Sequence, residues 1–329
     1  MVYQCKNLGD SLLATPLLQA LLKNDSKSQI LVICKPASID IFEKIHPRVQ
    51  VKRKPSTLSE WVSLLRAILG MRRRLFILPY PANEGLALAK FTLSRSVSSS
   101  HFKHWFLGSP DDFLPNRLSP WRHTVDVNLD ILRRLGFVIK QSDKCISTAH
   151  LLSDHFSSDV FEMNEGYIVI HPGSRWMFKT PRFSFWEELV ERLVASGYSI
   201  VVTGGAEGSE KDLCDRLGNL PCVVNAAGRT DLRQLANMIS RATGFIGVDT
   251  FSMHLAAGLG VPGVVLFGPT SELIWGPYGY NCKLGVVTSN HSCRPCHVDG
   301  CGGSKMSDCL ETLNPAGVVA SFCRQLELC

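Results

Sequence analysis

The stretch GFIGVDTFSMHLAAGLGVPGVVLFGPTSELIWGPY, Gly244 to Tyr278, decides the reading of the fold. Phe245 to Val248 is a short apolar run with the length of a buried strand. Asp249 and Thr250 end it, and Thr250 or Ser252 can cap a helix. Met253, Leu255, Ala256, Ala257 and Leu259 make that helix short and apolar, and Gly260 stops it. Val261 to Phe267 is a second strand, closed by Gly268-Pro269-Thr270. Strand, helix, strand in this order is the repeating unit of a parallel α/β sheet. The helix opens at the carboxyl end of a strand, where open α/β sheets bind ligands. Its free N–H groups and the positive end of its dipole suit an anion there.

Outward from this stretch the same alternation continues. Toward the N-terminus, the second half reads as strand Tyr167–Ile170, the turn His171-Pro172-Gly173-Ser174-Arg175 and a loop carrying Lys179. Helix Trp186–Ala195, strand Ser199–Val202 running into Thr203-Gly204-Gly205, and helix Ser209–Leu217 come next. Val223-Val224 and helix Leu232–Ser240 then lead into Gly244. The first half opens on a short strand, Val2–Cys5, and one helix that starts at Leu8-Gly9-Asp10-Ser11 and runs to Leu22. Strands at Ile30–Cys34, Val49–Val51 and Leu75–Leu78 alternate with helices at Ile39–Ile45 and Trp61–Leu69. Ser94–Ser100 is polar and reads as a loop, and Val125–Leu135 is a helix ended by Gly136. A chain of 329 residues suggests two domains. The pattern predicts two doubly wound α/β domains facing each other, over residues 1–150 and 166–329, with a linker at 151–165.

Apolar residues make up 45% and charged residues 19%, so a sizeable core is expected and disorder is not. No apolar run reaches the roughly 18 residues of a membrane span. The first residues show no cationic-then-apolar leader pattern, so a cytoplasmic protein is expected. Residues 1–150 hold 22 Lys and Arg against 11 Asp and Glu, whereas the remainder holds 13 against 18. The basic first half is either a solvated face or a surface for something anionic, a phosphorylated substrate or a membrane. No nucleic-acid motif accompanies it, and nucleic acid is not an expected partner. Twelve Cys in such a chain read as thiols or a metal site rather than disulfides. Cys293, Cys296, Cys301 and Cys309 have the spacing C-x2-C-x4-C-x7-C, with Gly300, Gly302 and Gly303 to let the loop turn. Four thiolates suit a structural Zn²⁺ or iron, and His291 or His297 can replace one of them. Free thiols, or disulfides formed in air, are the other readings.

HPGSRWMFK, TGGAEGSE, GRTDLRQLA, GVDTFSMHLAAGLG and LFGPTSELIWGPYG occur in this order, with LGDSLLATPLLQAL near the start. The ordered set, over nearly the whole chain, resembles glycosyltransferase family 9, the heptosyltransferases of lipopolysaccharide core synthesis in Gram-negative bacteria. WRHTVDVNLDILRRLG and CRPCHVDGCGGSKMSDCL look most like the heptosyltransferase III branch. The resemblance implies a GT-B architecture, two Rossmann-like domains with a cleft between them. It implies an inverting transfer of heptose from ADP-L-glycero-β-D-manno-heptose to an inner-core heptose. The acceptor is a lipid-linked core oligosaccharide, so a place at the cytoplasmic face of the inner membrane is expected.

The resemblance also distributes roles. Asp10 matches the catalytic base of the Gly-Asp motif; from the residues alone, an Asp at a helix start is also a cap. Lys179 matches the phosphate-contacting lysine and acts as a point charge on the leaving diphosphate. Thr250 brings helix-terminal N–H donors, and Asp249, His254, Ser174, Arg175 and Gly205 fall in the donor site; from the residues alone His254 can equally be a packed core residue, Asp249 the end of a strand, and Ser174 and Arg175 a helix cap and a surface residue. Glu207 or Glu210 is expected on the ribose, since an acidic residue after a Gly-rich turn takes that place. Arg122 and His123 are assigned to the acceptor. No carboxylate pair at metal spacing stands out, so no catalytic metal is expected. Two features depart from the family: the first strand is shortened to VYQCKN, and Phe251 stands where a small residue is usual after Asp-Thr. A dinucleotide oxidoreductase is disfavoured because no complete Gly-x-Gly-x-x-Gly follows a first strand. Other nucleotide sugars or acceptors, and a noncatalytic sugar-nucleotide binder that does not need Asp10, stay open.

Overall fold

The computed structural model describes residues 1–71, 74–80, 82–99, 113–114, 121–153 and 166–327. The chain divides into two compact units, Met1–Ser147 and Thr148–Cys329. Of the linker expected at 151–165, residues 154–165 lie outside the described residues.

The first unit runs β1 (Val2–Gln4), α1 (Leu8–Leu12), α2 (Thr15–Asn24), β2 (Ile30–Cys34), α3 (Ile39–Phe42) and β3 (Val49–Arg53). It continues through α4 (Leu58–Leu69), β4 (Leu75–Leu78), α5 (Asn83–Phe91), β5 (Arg95–Ser99), β6 (Phe113–Leu114) and α6 (Thr124–Arg134). Its strands form one parallel sheet in the order β3-β2-β1-β4-β5-β6. The second unit runs β7 (Tyr167–His171), α7 (Phe183–Ala195), β8 (Ser199–Val202), α8 (Gly208–Leu217), β9 (Val223–Asn225) and α9 (Leu232–Ser240). It ends with β10 (Gly244–Val248), α10 (Phe251–Leu259), β11 (Gly263–Phe267), α11 (Glu272–Trp275), β12 (Leu284–Thr288), α12 (Asp308–Glu311) and α13 (Pro315–Glu327). Its parallel sheet has the order β12-β11-β10-β7-β8-β9. Both orders are the doubly wound one, in which the chain reverses direction beside its first strand. The two switch points are therefore β1/β4 and β7/β10, and the carboxyl ends of these strands are where such sheets bind ligands.

Burial explains the strands. β2, β7, β10 and β11 are buried along their whole length, which their continuous apolar runs require. Val2 pairs with Val32 on one side and with Ile77 on the other, so even the shortened β1 is the centre of its sheet. Tyr3, Ile33, Leu64, Ile68, Phe76 and Leu78 pack together on one face of the first sheet. Trp186, Leu189, Leu193, Ile246, Val248 and Phe322 belong to the core of the second unit.

Three departures have physical causes. The single N-terminal helix expected to reach Leu22 is two helices. Pro16 has no N–H for the Leu12 carbonyl, and Thr15 Oγ1 donates to that carbonyl instead, at 2.7 Å. Residues 94–100, expected as a loop, contain β5, in register with β4 from Leu75↔Arg95 to Leu78↔Ser98. Ser96, Val97 and Ser98 are all buried there, so pairing to a neighbouring strand overrides their polar composition. The helix α13, unforeseen, packs against α7, β11 and β12. Its Phe322 ring lies 2.5 Å from where a Cβ on Gly244 would stand, so β10 can begin only with glycine.

Candidate active site

In the second unit, Thr250 is the N-cap of α10, but its side chain accepts no hydrogen bond from the helix. Thr250 Oγ1 shares a hydrogen bond with Ser252 Oγ at 2.8 Å instead. The first-turn N–H groups of α10 are thus left without a side-chain acceptor at the carboxyl end of β10, the arrangement that suits an anion. Gly260 ends the helix in the left-handed region, φ +70°, with Val261 N–H donating to Ala256 O at 3.2 Å.

Beside this terminus lies a buried charge. Asp249 is 6% exposed and accepts from Lys179 Nζ at 2.6 Å and from Thr270 Oγ1 at 2.8 Å. Lys179 closes a 3-10 turn, Met177–Lys179, after β7, and Thr270 follows β11. Three loops thus meet on one carboxylate, with the lysine charge held at the switch point. Ser271, next to Thr270, is 1% exposed, and its Oγ has no partner among the described residues. His254 is buried in α10.

The Gly-rich turns are braced from behind. His171 Nδ1 shares a hydrogen bond with Thr203 Oγ1 at 2.9 Å, and its Nε2 stands 3.2 Å from Glu210 Oε1. Burial pushes the Glu210 carboxyl up, but the hydrogen bond and charge of His171, with the Gly205 N–H, outweigh it and hold it below the usual carboxylate range. A Cβ on Gly173 would stand 2.6 Å from Glu210 Cγ, so the loop after β7 rests directly on this side chain. Of the two acids expected on the ribose, Glu210 is engaged as this post, while Glu207 is the exposed N-cap of α8. Ser174 is buried in its turn; its Oγ accepts from Trp176 N–H at 3.2 Å and its N–H donates to Thr180 Oγ1 at 3.1 Å. Arg175 is exposed, its guanidinium 5.1 Å from the Trp176 ring centre.

The cysteine-rich loop reaches these same turns. Arg294, between Cys293 and Cys296, donates from Nε to Gly268 O at 2.6 Å and from an Nη to Glu272 Oε2 at 3.2 Å. His297 N–H donates to Pro269 O at 2.9 Å, and Ser307 Oγ donates to Phe178 O at 2.7 Å. Burial raises the Cys309 thiol to about 11; Arg294 opposes this, while Cys301, Cys296 and Cys293 add to it. Cys293, Cys296 and Cys301 are therefore within electrostatic range of Cys309. Among the described residues, however, no three of His, Cys, Asp or Glu are gathered as a metal-ligand group, these four Cys included.

In the first unit, Asp10 is not the N-cap of α1. Asn7 is, and its N–H donates back to Asp10 Oδ2 at 3.2 Å. Tyr80, just past β4 at the same switch point, has its hydroxyl within hydrogen-bonding reach of the Asp10 carboxylate and the Thr124 hydroxyl. Burial drives the Tyr80 phenol far above its ordinary range, the Asp10 charge adds to that, and Thr124 opposes it. Lys6 Nζ lies 5.7 Å from the Tyr80 ring centre. Asp10 thus carries a capping bond and also faces a phenol. The two acceptor-side candidates have structural work: Arg122 pairs with Asp130, and His123 Nδ1 accepts from Val125 N–H at 3.2 Å as the N-cap of α6. Tyr80, Thr124, Thr270, His171 and Arg294 were missing from the expected site. Tyr80 and Thr270 each stand just beyond an apolar run, LFIL and GVVLF, and that position was the available signal.

Comparisons with known proteins give the family and the fold. Residues 107–306 match the model of glycosyltransferase family 9 (heptosyltransferase). The chain is 25% identical over 289 residues to lipopolysaccharide heptosyltransferase 3 of Escherichia coli, covering 83% of this chain and 84% of that one. The fold, two Rossmann-like units in GT-B fashion, is shared with solved structures. A glycosyl transferase family 9 protein from Veillonella parvula DSM 2008 superposes with a TM-score of 0.78 at 20% identity, over 100% of this chain and 97% of the other. The E. coli ADP-heptose LPS heptosyltransferase II does so with a TM-score of 0.77 at 17% identity, over 99% and 98%.

Proposed function

The chain belongs to glycosyltransferase family 9, and from that premise we propose that it moves heptose from ADP-L-glycero-β-D-manno-heptose to an inner-core heptose of lipopolysaccharide, with inversion at the anomeric carbon. The observation that carries this reading is the Lys179–Asp249–Thr270 cluster beside the open N-terminus of α10. A diphosphate placed there meets backbone N–H donors and a lysine whose charge is already positioned. Asp249, held by two donors, keeps Lys179 aimed before the donor arrives.

The chemistry needs few groups. The acceptor hydroxyl attacks the anomeric carbon in line with the departing ADP oxygen. Asp10 takes the hydroxyl proton as the new C–O bond forms. The glycosidic C–O bond to phosphate breaks, and ADP leaves with the bonding pair. Lys179 and the α10 amides offset the negative charge gathering on the diphosphate, and no catalytic metal is invoked. Tyr80 and the Asn7 N–H hold the Asp10 carboxylate. The four Cys of the terminal loop are proposed to share a structural Zn²⁺ or Fe ion that fixes the loop, and with it Arg294 against Gly268; elemental analysis of protein purified without chelator tests this. A lipid-linked acceptor places the enzyme at the cytoplasmic face of the inner membrane. Peripheral contact is part of this proposal; among the described residues no helix is long and apolar enough to cross a membrane.

The test is ADP release from ADP-heptose with and without a truncated core acceptor, in chelator. Acceptor-dependent release with transfer of heptose is expected. Tight donor binding with no turnover on any core acceptor would instead make the protein a sugar-nucleotide binder.

A further inference from the structure

The helix α4 carries two apolar stripes where a surface helix needs one. The first, Leu64 and Ile68 with Trp61, packs against Tyr3 and Phe76 in the core. The second, Leu58, Val62, Leu65 and Leu69, repeats at i, i+4, i+7 and i+11, about 100° around the helix from the first. Leu65 is half-buried, and the other three face solvent: Leu58 is 82% exposed, Val62 39% and Leu69 48%. At its carboxyl end the stripe continues onto the turn after α5, where Leu69, Arg74, Phe91, Thr92 and Leu93 line one depression. Phe91 is 73% exposed and Leu93 is 96% exposed.

That turn is built to hold Leu93 outward. Leu93 sits in the left-handed region at φ +49°, where a leucine is out of place. Arg74 donates to Thr92 O at 2.8 Å and to Met71 O at 3.1 Å, and Thr92 Oγ1 donates to Leu88 O at 2.7 Å. The apolar tip is therefore fixed rather than loosely displayed.

Charge says what covers it. Residues 49–95 hold nine Lys and Arg against two Glu. Both Glu are used internally, Glu60 by Arg53 and Glu84 by Lys54. Lys52, Arg66, Lys90 and Arg95 form no ion pair among the described residues. Arg66 flanks the exposed stripe, and Lys90 and Arg95 bracket Phe91 and Leu93 in the chain. Exposed leucine and phenylalanine rimmed by cations match a surface that is apolar below and anionic above. Nucleic acid would want the cations without the leucines.

We propose that the α4 stripe and the Phe91–Leu93 turn dock the first unit on an anionic lipid bilayer, with the apolar side chains among the acyl chains and Arg66, Lys90 and Arg95 at the head groups. This rests on the reading that the acceptor is lipid-linked and says which face of the enzyme meets its membrane. Two signals, apolar insertion and basic attraction, are together sufficient for reversible binding where one is marginal.

The experiment is co-sedimentation of the full chain with vesicles of neutral phosphatidylcholine and with vesicles containing about one-third phosphatidylglycerol, alongside turnover on a soluble, delipidated core oligosaccharide. Binding to the anionic vesicles alone, weakened by salt, is expected. Phe91→Ser with Leu93→Ser, and separately Leu58→Ser with Leu69→Ser, should each lower vesicle affinity at least tenfold, while turnover on the soluble acceptor stays within twofold. Arg66→Gln with Lys90→Gln should weaken binding and flatten its salt dependence. Equal binding to neutral vesicles, or unaltered binding by all three variants, overturns the proposal. Loss of soluble turnover in the serine variants also overturns it, since the face would then belong to the acceptor site. Vesicle binding by a protein that transfers no heptose leaves this proposal standing and removes the functional one.

Discussion

Asp10 makes two contacts with different consequences. Its Oδ2 accepts from Asn7 N–H as the third helical residue of a capping box, so it braces the helix start without being the cap. Its approach to Tyr80 at the β1/β4 switch point is the contact on which the proposed base role rests. Asp10→Asn keeps the size and the acceptor oxygen but cannot take a proton. Transfer should fall at least 10²-fold with ADP affinity unchanged; a variant keeping more than about a tenth of wild-type rate would remove the base role. Tyr80→Phe removes one hydrogen bond to the carboxylate and should slow transfer about tenfold without changing ADP binding. Glu210 makes a prediction about pH. Its carboxyl is held below its ordinary value of 4.5 in the fold, so it adds stability that is present above that value and lost as pH falls through the depressed one. Glu210→Gln should cost about 1.5–3 kcal/mol at neutral pH and make unfolding less steep with pH below about 4.5. Denaturant curves between pH 3 and 7 read both. Parallel curves for the two proteins would show that His171 and Gly205 gain nothing from the charge.

At the scale of elements, the strands were legible because a parallel strand buried on both faces is an uninterrupted apolar run. β7, β10 and β11 announce themselves in this way. β5 does not, because two of its three buried central residues are serines and only pairing with β4 makes them strand. The helix α13 was missed for a different reason: its meaning lies in a glycine 78 positions earlier, Gly244, whose missing Cβ receives Phe322. In sequence the cysteine-rich loop stands out by its thiols, yet in the fold its clearest work is done by Arg294. The Arg294 guanidinium ties Gly268 O and Glu272 together, fixing the turn that presents Thr270 to Asp249. Arg294→Ala should therefore raise the donor KM about tenfold, some 1.4 kcal/mol, with kcat within about twofold. Arg294→Lys should restore little, since a point charge cannot span both acceptors. A fall in kcat at unchanged KM would place the effect elsewhere.

Over the whole molecule, the same winding order occurs twice, and the expected roles divide along it. The order follows from the alternation of apolar runs and helices, which is why the fold was readable. The Lys179–Asp249–Thr270 cluster was not readable from spacing: Lys179 and Asp249 lie 70 residues apart and meet only because β7 and β10 are neighbours. If that cluster holds the diphosphate, the donor's binding energy is delivered to the second unit. A ligand that binds only the folded form stabilises it by RT ln(1 + [L]/Kd), about 2.7 kcal/mol at a hundredfold excess over Kd. The elements paired to the site should receive this first, because their opening breaks the site. Hydrogen exchange with saturating ADP should therefore slow in β7, α10 and the turn after β11, all within Thr148–Cys329. Strands β1, β2 and β4 of Met1–Ser147 should exchange at their ligand-free rate. Lys179→Ala breaks a buried ion pair and leaves Asp249 facing the diphosphate, so it should lower ADP affinity about 10²-fold and erase the protection at a fixed ADP concentration. Equal protection in both units, or protection that survives Lys179→Ala, would mean that the nucleotide is held by residues other than these.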